Sequence, residues 1–145
     1  MKKTHIDHAT DRGRGIDALK GSNVPAVFCD AVKVQLSECV MLFVSGKVGV
    51  RPDGTLAGRT MREQTQQTLE NIREVLRREG GTMDDIVRVR VYVTQVDSAS
   101  LRDIHDVRSK FWTEGKYPAS TLVRVDQLIR DGALIEIDAD AVIAS

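Results

Sequence analysis

Glu136 is the side chain with the clearest chemical potential in this sequence. It sits in the run Ala133-Leu134-Ile135-Glu136-Ile137-Asp138-Ala139-Asp140-Ala141. Strict alternation puts Ala133, Ile135, Ile137, Ala139 and Ala141 on one face of a strand, with Leu134, Glu136, Asp138 and Asp140 on the other. A carboxylate held in mid-strand and desolvated in a cleft gains basicity and can orient a water toward an electrophilic carbon. The competing reading is a structural ion pair. Ser120, Leu122 and Arg124 share one face of a preceding strand, opposite Thr121, Val123 and Val125, and Arg124 is a candidate cross-strand partner for Glu136 or Asp138.

Other reactive side chains are scattered. His105, on a helical stretch, carries an imidazole that titrates near neutrality and can donate to a carbonyl or act as a general acid; a helix histidine bonded to a backbone carbonyl is the equal alternative. Arg108 lies one turn further on, near the apolar boundary, either as a cleft wall or as a solvated helix cation. Ser120 and Thr121 offer hydroxyls, but no elbow motif or base–orienter pair accompanies them, so covalent catalysis is not expected. His5 and His8 make a His-x-x-His pair, an incomplete zinc set, and no metal is expected. Cys29 and Cys39 fall inside apolar runs without redox or metal spacing, which predicts buried small hydrophobes in a reduced, cytoplasmic protein.

Positioning these groups requires a fold of one domain, for which 145 residues suffice. Basic and acidic residues balance at 21 each, and no basic run stands out, so a nucleic-acid partner is not expected. No apolar run is long enough for a signal peptide or a membrane span. Residues 1–23 are polar and aperiodic and read as a flexible arm ahead of a single domain, 24–145. Ala26 to Val34 and Cys39 to Gly46 read as strands, and Arg51-Pro52-Asp53-Gly54 as a turn. From Thr60 the period changes to helical, with Met61, Thr65, Thr68, Leu69, Ile72, Val75 and Leu76 on one stripe and Gly80-Gly81 as the stop. Ile86 to Val93 is a strong strand, and a second helix is expected near Ser98 to Thr113, capped by Ser98 or Ser100. The order predicts an α+β fold, a mixed sheet with two helices on one face. Apolar residues occupy both faces of the second strand, Val40, Leu42 and Val44 against Cys39, Met41 and Phe43, so the face away from the helices is expected to pack on another subunit.

The segment Tyr117-Pro118-Ala119-Ser120 followed by Ile135-Glu136-Ile137 resembles the closing signature of the RidA (YjgF, L-PSP) family, Pro-Ala-Arg-Ser and then Ile-Glu-Ile-Glu. Phe43-Val44-Ser45-Gly46 is similar to the family's Phe-x-Ser-Gly, and Gln64 to Leu76 to its Gln-x-x-x-x-Leu-x-Asn-Ile helix motif. The resemblance implies a chorismate mutase-like subunit in a barrel-shaped homotrimer with clefts between subunits. It also implies hydrolysis of a small imine, enamine or related unsaturated amine, without metal or organic cofactor. Site residues follow by position: Glu136 to hold water, Ser45 and Gly46 to line the cleft, Phe28 where the family has tyrosine, His105 where it has asparagine. Ser120 stands where the family's arginine clamps a carboxylate, with Arg108 and Arg124 as further substrate-binding candidates. Ser120 removes the bidentate grip, so the usual 2-aminoacrylate type of substrate is not expected. A non-catalytic small-ligand-binding or regulatory trimer is the alternative.

Overall fold

The computed structural model describes residues 1–7 and 27–145. Lys2–Ile6 (β1), Ala31–Gln35 (β2), Cys39–Val48 (β3), Ile86–Val93 (β4), Ala119–Arg124 (β5) and Ile135–Ala144 (β6) form one sheet in the order β1-β2-β3-β6-β4-β5. Met61–Arg78 (α1) and Ser98–Arg108 (α2) pack together, with α1 lying on β3 and β6. All strand pairings are antiparallel except β4 with β5. The predicted mixed sheet with two helices is therefore the observed fold.

Each helix starts and stops for a local reason. Thr60 caps α1 in a reciprocal box with Glu63, so two otherwise orphaned backbone donors are satisfied. At the other end the Gly81 N–H reaches the Leu76 carbonyl and Gly80 takes a φ of +83°, the left-handed turn that glycine adopts without strain. Asp97, rather than Ser98 or Ser100, caps α2: its carboxylate accepts from the Ser100 N–H at 2.8 Å. The helix ends at Arg108, short of the expected Thr113, because the following N–H groups of Lys110 and Phe111 turn tightly onto Val107 and Arg108.

The core lies between α1 and the sheet. Leu69, Ile72 and Leu76 of α1 meet Leu42 of β3, Val89 and Val91 of β4, and Ile135 and Ile137 of β6, all buried. Burying each such side chain stabilises the fold by about 1.5–3 kcal/mol relative to exposure. The opposite, open face of the sheet is mixed. Phe43, opposite Asp140, is partly exposed, and the row through Glu136 reads Val48, Glu136, Tyr92, Val123.

The N-terminal arm needs correction where it is described. Lys2–Ile6 is an edge strand paired antiparallel with β2, and Ile6 is buried. Its backbone hydrogen bonds and this one apolar anchor hold it, and neither leaves a period-2 signature. The rest of the arm, with His8, lies outside the described residues. The first strand of the domain starts at Ala31 rather than Ala26; residues 27–30 form a connection, and Ala26 lies outside the described residues.

Candidate functional site

A register shift in β3 organises the open-face site. Between Val44 and Lys47 the pairing with β6 slips, so Ser45 and Gly46 leave the ladder as a bulge. Gly46 then lies directly against Glu136: a Cβ built at Gly46 would sit 2.1 Å from Glu136 Oε1. Only glycine leaves room for the carboxylate there. Ser45 ties down the chain ahead of β2, its Oγ donating to the Cys29 carbonyl at 2.6 Å and its N–H to the Asp30 carbonyl at 2.9 Å. That anchoring places Phe28, 54% exposed, on the wall of the same cavity.

The cavity holds about 530 Å³ and is lined by Phe28, Ser45, Gly46 and Glu136 together with Asp30, Lys47, Arg90 and Arg130. Its charges are mostly matched. Lys47 Nζ is 2.5 Å from Asp30 Oδ1, with both side chains buried. Arg90 spans Asp138 at 2.7 Å and Asp140 at 2.9 Å, which holds its guanidinium firmly protonated, and the Tyr92 hydroxyl lies 3.4 Å from Asp138. Glu136 differs: among the described residues its carboxylate has no hydrogen-bond or ion-pair partner. Burial pushes its carboxyl above the ordinary glutamate range, and neighbouring Asp138 pushes it further.

Arg124 does not reach Glu136. β4 lies between β5 and β6, and Arg124 donates instead to the Thr94 carbonyl at 3.3 Å, with Asp126 at 3.8 Å. The proposed Arg124–Asp138 pair is likewise unformed, since Arg90 holds Asp138. Ser120 pairs with Val89, on the sheet face turned toward the helices, and its Oγ accepts from Arg108 Nη1 at 3.1 Å. His105 is exposed on α2 and does not line the Glu136 cavity. Within one protomer the candidates thus form two groups, Glu136 with Gly46, Ser45 and Phe28 on the open face, and Arg108 with Ser120 at the β5 edge.

Sequence reasoning missed the Lys47–Asp30 pair and the Arg90–Asp138–Asp140 bridge. The second was legible in principle, since Asp138 and Asp140 alternate on the face of Glu136. The first depends on the β3 bulge and had no signal. A larger groove of about 840 Å³ runs along the outer face of α1, but Arg73, Arg77 and Arg78 there pair with Glu70 and Glu74, and no candidate residue lines it. No cluster of three or more His, Cys, Asp or Glu side chains suited to a metal occurs among the described residues. His5 instead lies 3.8 Å from Cys29 Sγ. No helix among the described residues is long and apolar enough to cross a membrane.

Residues 25–143 match the family model described as Endoribonuclease L-PSP. The chain belongs to the RidA/YjgF/L-PSP family. Among its RidA-family relatives is a protein of Escherichia coli (strain K12) provisionally named reactive intermediate deaminase TdcF, 30% identical over 104 residues, covering 70% of this chain and 78% of the relative. Another, the mitochondrial protein mmf2 of Schizosaccharomyces pombe, is 33% identical over 104 residues, covering 70% and 79%. RidA-family membership therefore does not by itself assign a cellular compartment. The crystal structure of a YjgF family member from Mycobacterium tuberculosis superposes with a TM-score of 0.72 at 25% identity, covering 98% of this chain and 100% of that one.

Proposed function

We propose that the protein is a cofactor-independent hydrolase that deaminates a small imine, enamine or related unsaturated amine, working as a homotrimer with its sites between subunits. One observation carries this reading: a half-buried carboxylate, Glu136, without a partner among the described residues and with raised basicity, pressed against a glycine that makes room for it. The deaminase name of one relative supports the same class.

The chemistry follows from that carboxylate. Glu136 takes a proton from water as the water oxygen forms a bond to the imine carbon. The C=N electron pair moves to nitrogen, which takes up a proton and gives a carbinolamine. Collapse to the ketone then breaks the C–N bond and releases ammonia, with the hydroxyl proton returning through Glu136. Ser45 and Gly46 shape the wall, and the Lys47–Asp30 pair fixes the segment that carries Phe28.

The test is ammonia release from small imines generated in situ, with 2-iminopropanoate and the imine of butanone as the carboxylate-bearing and carboxylate-free members. Glu136→Gln keeps the shape and removes the base, so turnover should fall by about 10²–10⁴-fold. Full activity in that variant would end the water-orienting role. No turnover in the native protein, with saturable ligand binding, would instead favour a non-catalytic binding trimer.

A further inference from the structure

Imine hydrolysis needs an acid as well as a base, because the nitrogen must take up a proton while Glu136 removes one from water. Among the described residues that line the Glu136 cavity, most polar groups are unsuited to give that proton. Arg90 and Arg130 carry guanidinium groups, which are not deprotonated in proteins. The Ser45 hydroxyl spends its proton on the Cys29 carbonyl at 2.6 Å. Asp138 and Asp140 accept hydrogen bonds from Arg90. The Tyr92 hydroxyl lies 3.4 Å from Asp138, and Tyr92 is not part of the cavity wall. Lys47 remains. It lines the same cavity at 8% exposure, and its Nζ is 2.5 Å from Oδ1 of Asp30, which lines it too. It is also the first residue to rejoin the ladder after the Ser45-Gly46 bulge: Lys47 pairs with Ile137, and the next residue, Val48, pairs with Glu136 itself. A register that aims a lysine rather than an aliphatic residue at this buried wall costs stability unless the charge is matched, and Asp30 matches it.

We infer that Lys47 is the general acid of the reaction, its ammonium protonating the imine nitrogen while Asp30 holds it in place. This deepens the proposed function and rests on the reading of Glu136 as the base. As the water oxygen bonds to carbon, Glu136 takes a water proton and Lys47 gives one to nitrogen. The carbinolamine then stands beside a protonated Glu136 and a neutral Lys47. On collapse the C–N electron pair leaves with nitrogen, which takes the Glu136 proton and departs as ammonia. Glu136 accepts the hydroxyl proton as the ketone forms and passes it on to Lys47, which restores both groups. The net change is imine and water to ketone and ammonia. Asp30 is a positioning residue in this scheme, since it acts on the substrate only through Lys47.

Lys47→Arg in the full-length protein separates the acid from the ion pair. Arginine keeps the charge and can still bond Asp30, but it does not release a proton. Turnover of the imine of butanone should therefore fall about 10²–10⁴-fold, with Tm close to native. The same variant should keep most of its turnover on the N,N-dimethyliminium ion of butanone, whose nitrogen is already cationic and needs no proton for water to add. Glu136→Gln should lose both substrates, since water must be activated in each case. If Lys47→Arg does not fold, the double variant Asp30→Asn/Lys47→Met, which leaves neither ion behind, is read in the same way. Native turnover of the imine in a folded variant overturns the inference. Equal loss on imine and iminium also overturns it, because a structural ion pair would act on both alike. If the native cavity does not take the iminium, added propylammonium should restore part of the imine turnover in Lys47→Ala, and no restoration overturns the inference. The Glu136 reading fails separately. A native protein that hydrolyses neither compound sinks the reaction and the acid with it, whereas an active protein indifferent to Lys47 loses the acid alone.

Discussion

Among the described residues, the charged group without an ionic partner on the open face of the sheet is a carboxylate, Glu136; near the β5 edge, at the end of α2, it is a guanidinium, Arg108, bonded only to the Ser120 hydroxyl. Most other charges around them are matched. Lys47 has Asp30, Arg90 has Asp138 and Asp140, and Arg62 has Asp103 and Asp106. A structural role usually ends in such pairing, because an unpaired buried charge destabilises the fold. Among the described residues Glu136 and Arg108 depart from that pattern, with opposite sign and on opposite faces of one sheet. They face different ways, so one protomer does not join them; an inter-subunit cleft would.

The comparison breaks most sharply at Gly46. Gly46→Ala puts a methyl group where Glu136 Oε1 now lies, 2.1 Å from the new Cβ, so the carboxylate must move. Turnover should fall about a hundredfold, since misplacing a catalytic group by an ångström has that order of effect. The Arg108–Ser120 contact, on the other face, should be unchanged. A variant with native turnover would show that the position of Glu136 is irrelevant to the reaction.

A smaller effect separates the two regions by pH. Glu136 acts as a base only when ionised, and its pKa is raised, so kcat/KM should fall on the acid side at a pH above the ordinary glutamate value of 4.5. The same shift has a stability consequence. A carboxyl that binds its proton more tightly in the folded chain contributes stability fully present below the unfolded pKa and lost as pH rises through the folded one. At neutral pH, therefore, Glu136→Gln should raise Tm modestly, and the gain should vanish in acid. A lowered Tm at pH 7 would mean that Glu136 is a structural ion-pair member after all.

Much of the fold was legible because its signals are local. The alternation of Ile86–Val93 and Ile135–Ala144 and the helical stripe of Met61–Arg78 each depend on near neighbours only. In the open-face group, strand alternation singled out Glu136, whereas Phe28, Ser45 and Gly46 came only from family likeness. What escaped depends on long-range geometry. β1 is held by β2 and one buried isoleucine, so Lys-Lys-Thr-His looks like a solvated tail. The Arg124–Glu136 pair assumed that β5 neighbours β6, but a parallel pairing places β4 between them. The Arg108–Ser120 contact joins a helix end to an edge strand, which neither period encodes.

The proposed site between subunits would set the Glu136 carboxylate of one chain beside the Arg108 guanidinium of another, and co-expressing Glu136→Gln and Arg108→Gln with different tags tests it most directly. Each variant alone should be nearly inactive on 2-iminopropanoate. In a trimer containing both, isolated through the two tags in sequence, one cleft of the three has both native groups, so about one third of native turnover should return. Mixed trimers as inactive as either parent would contradict the account, because the two groups would then have to act from the same chain or not together at all.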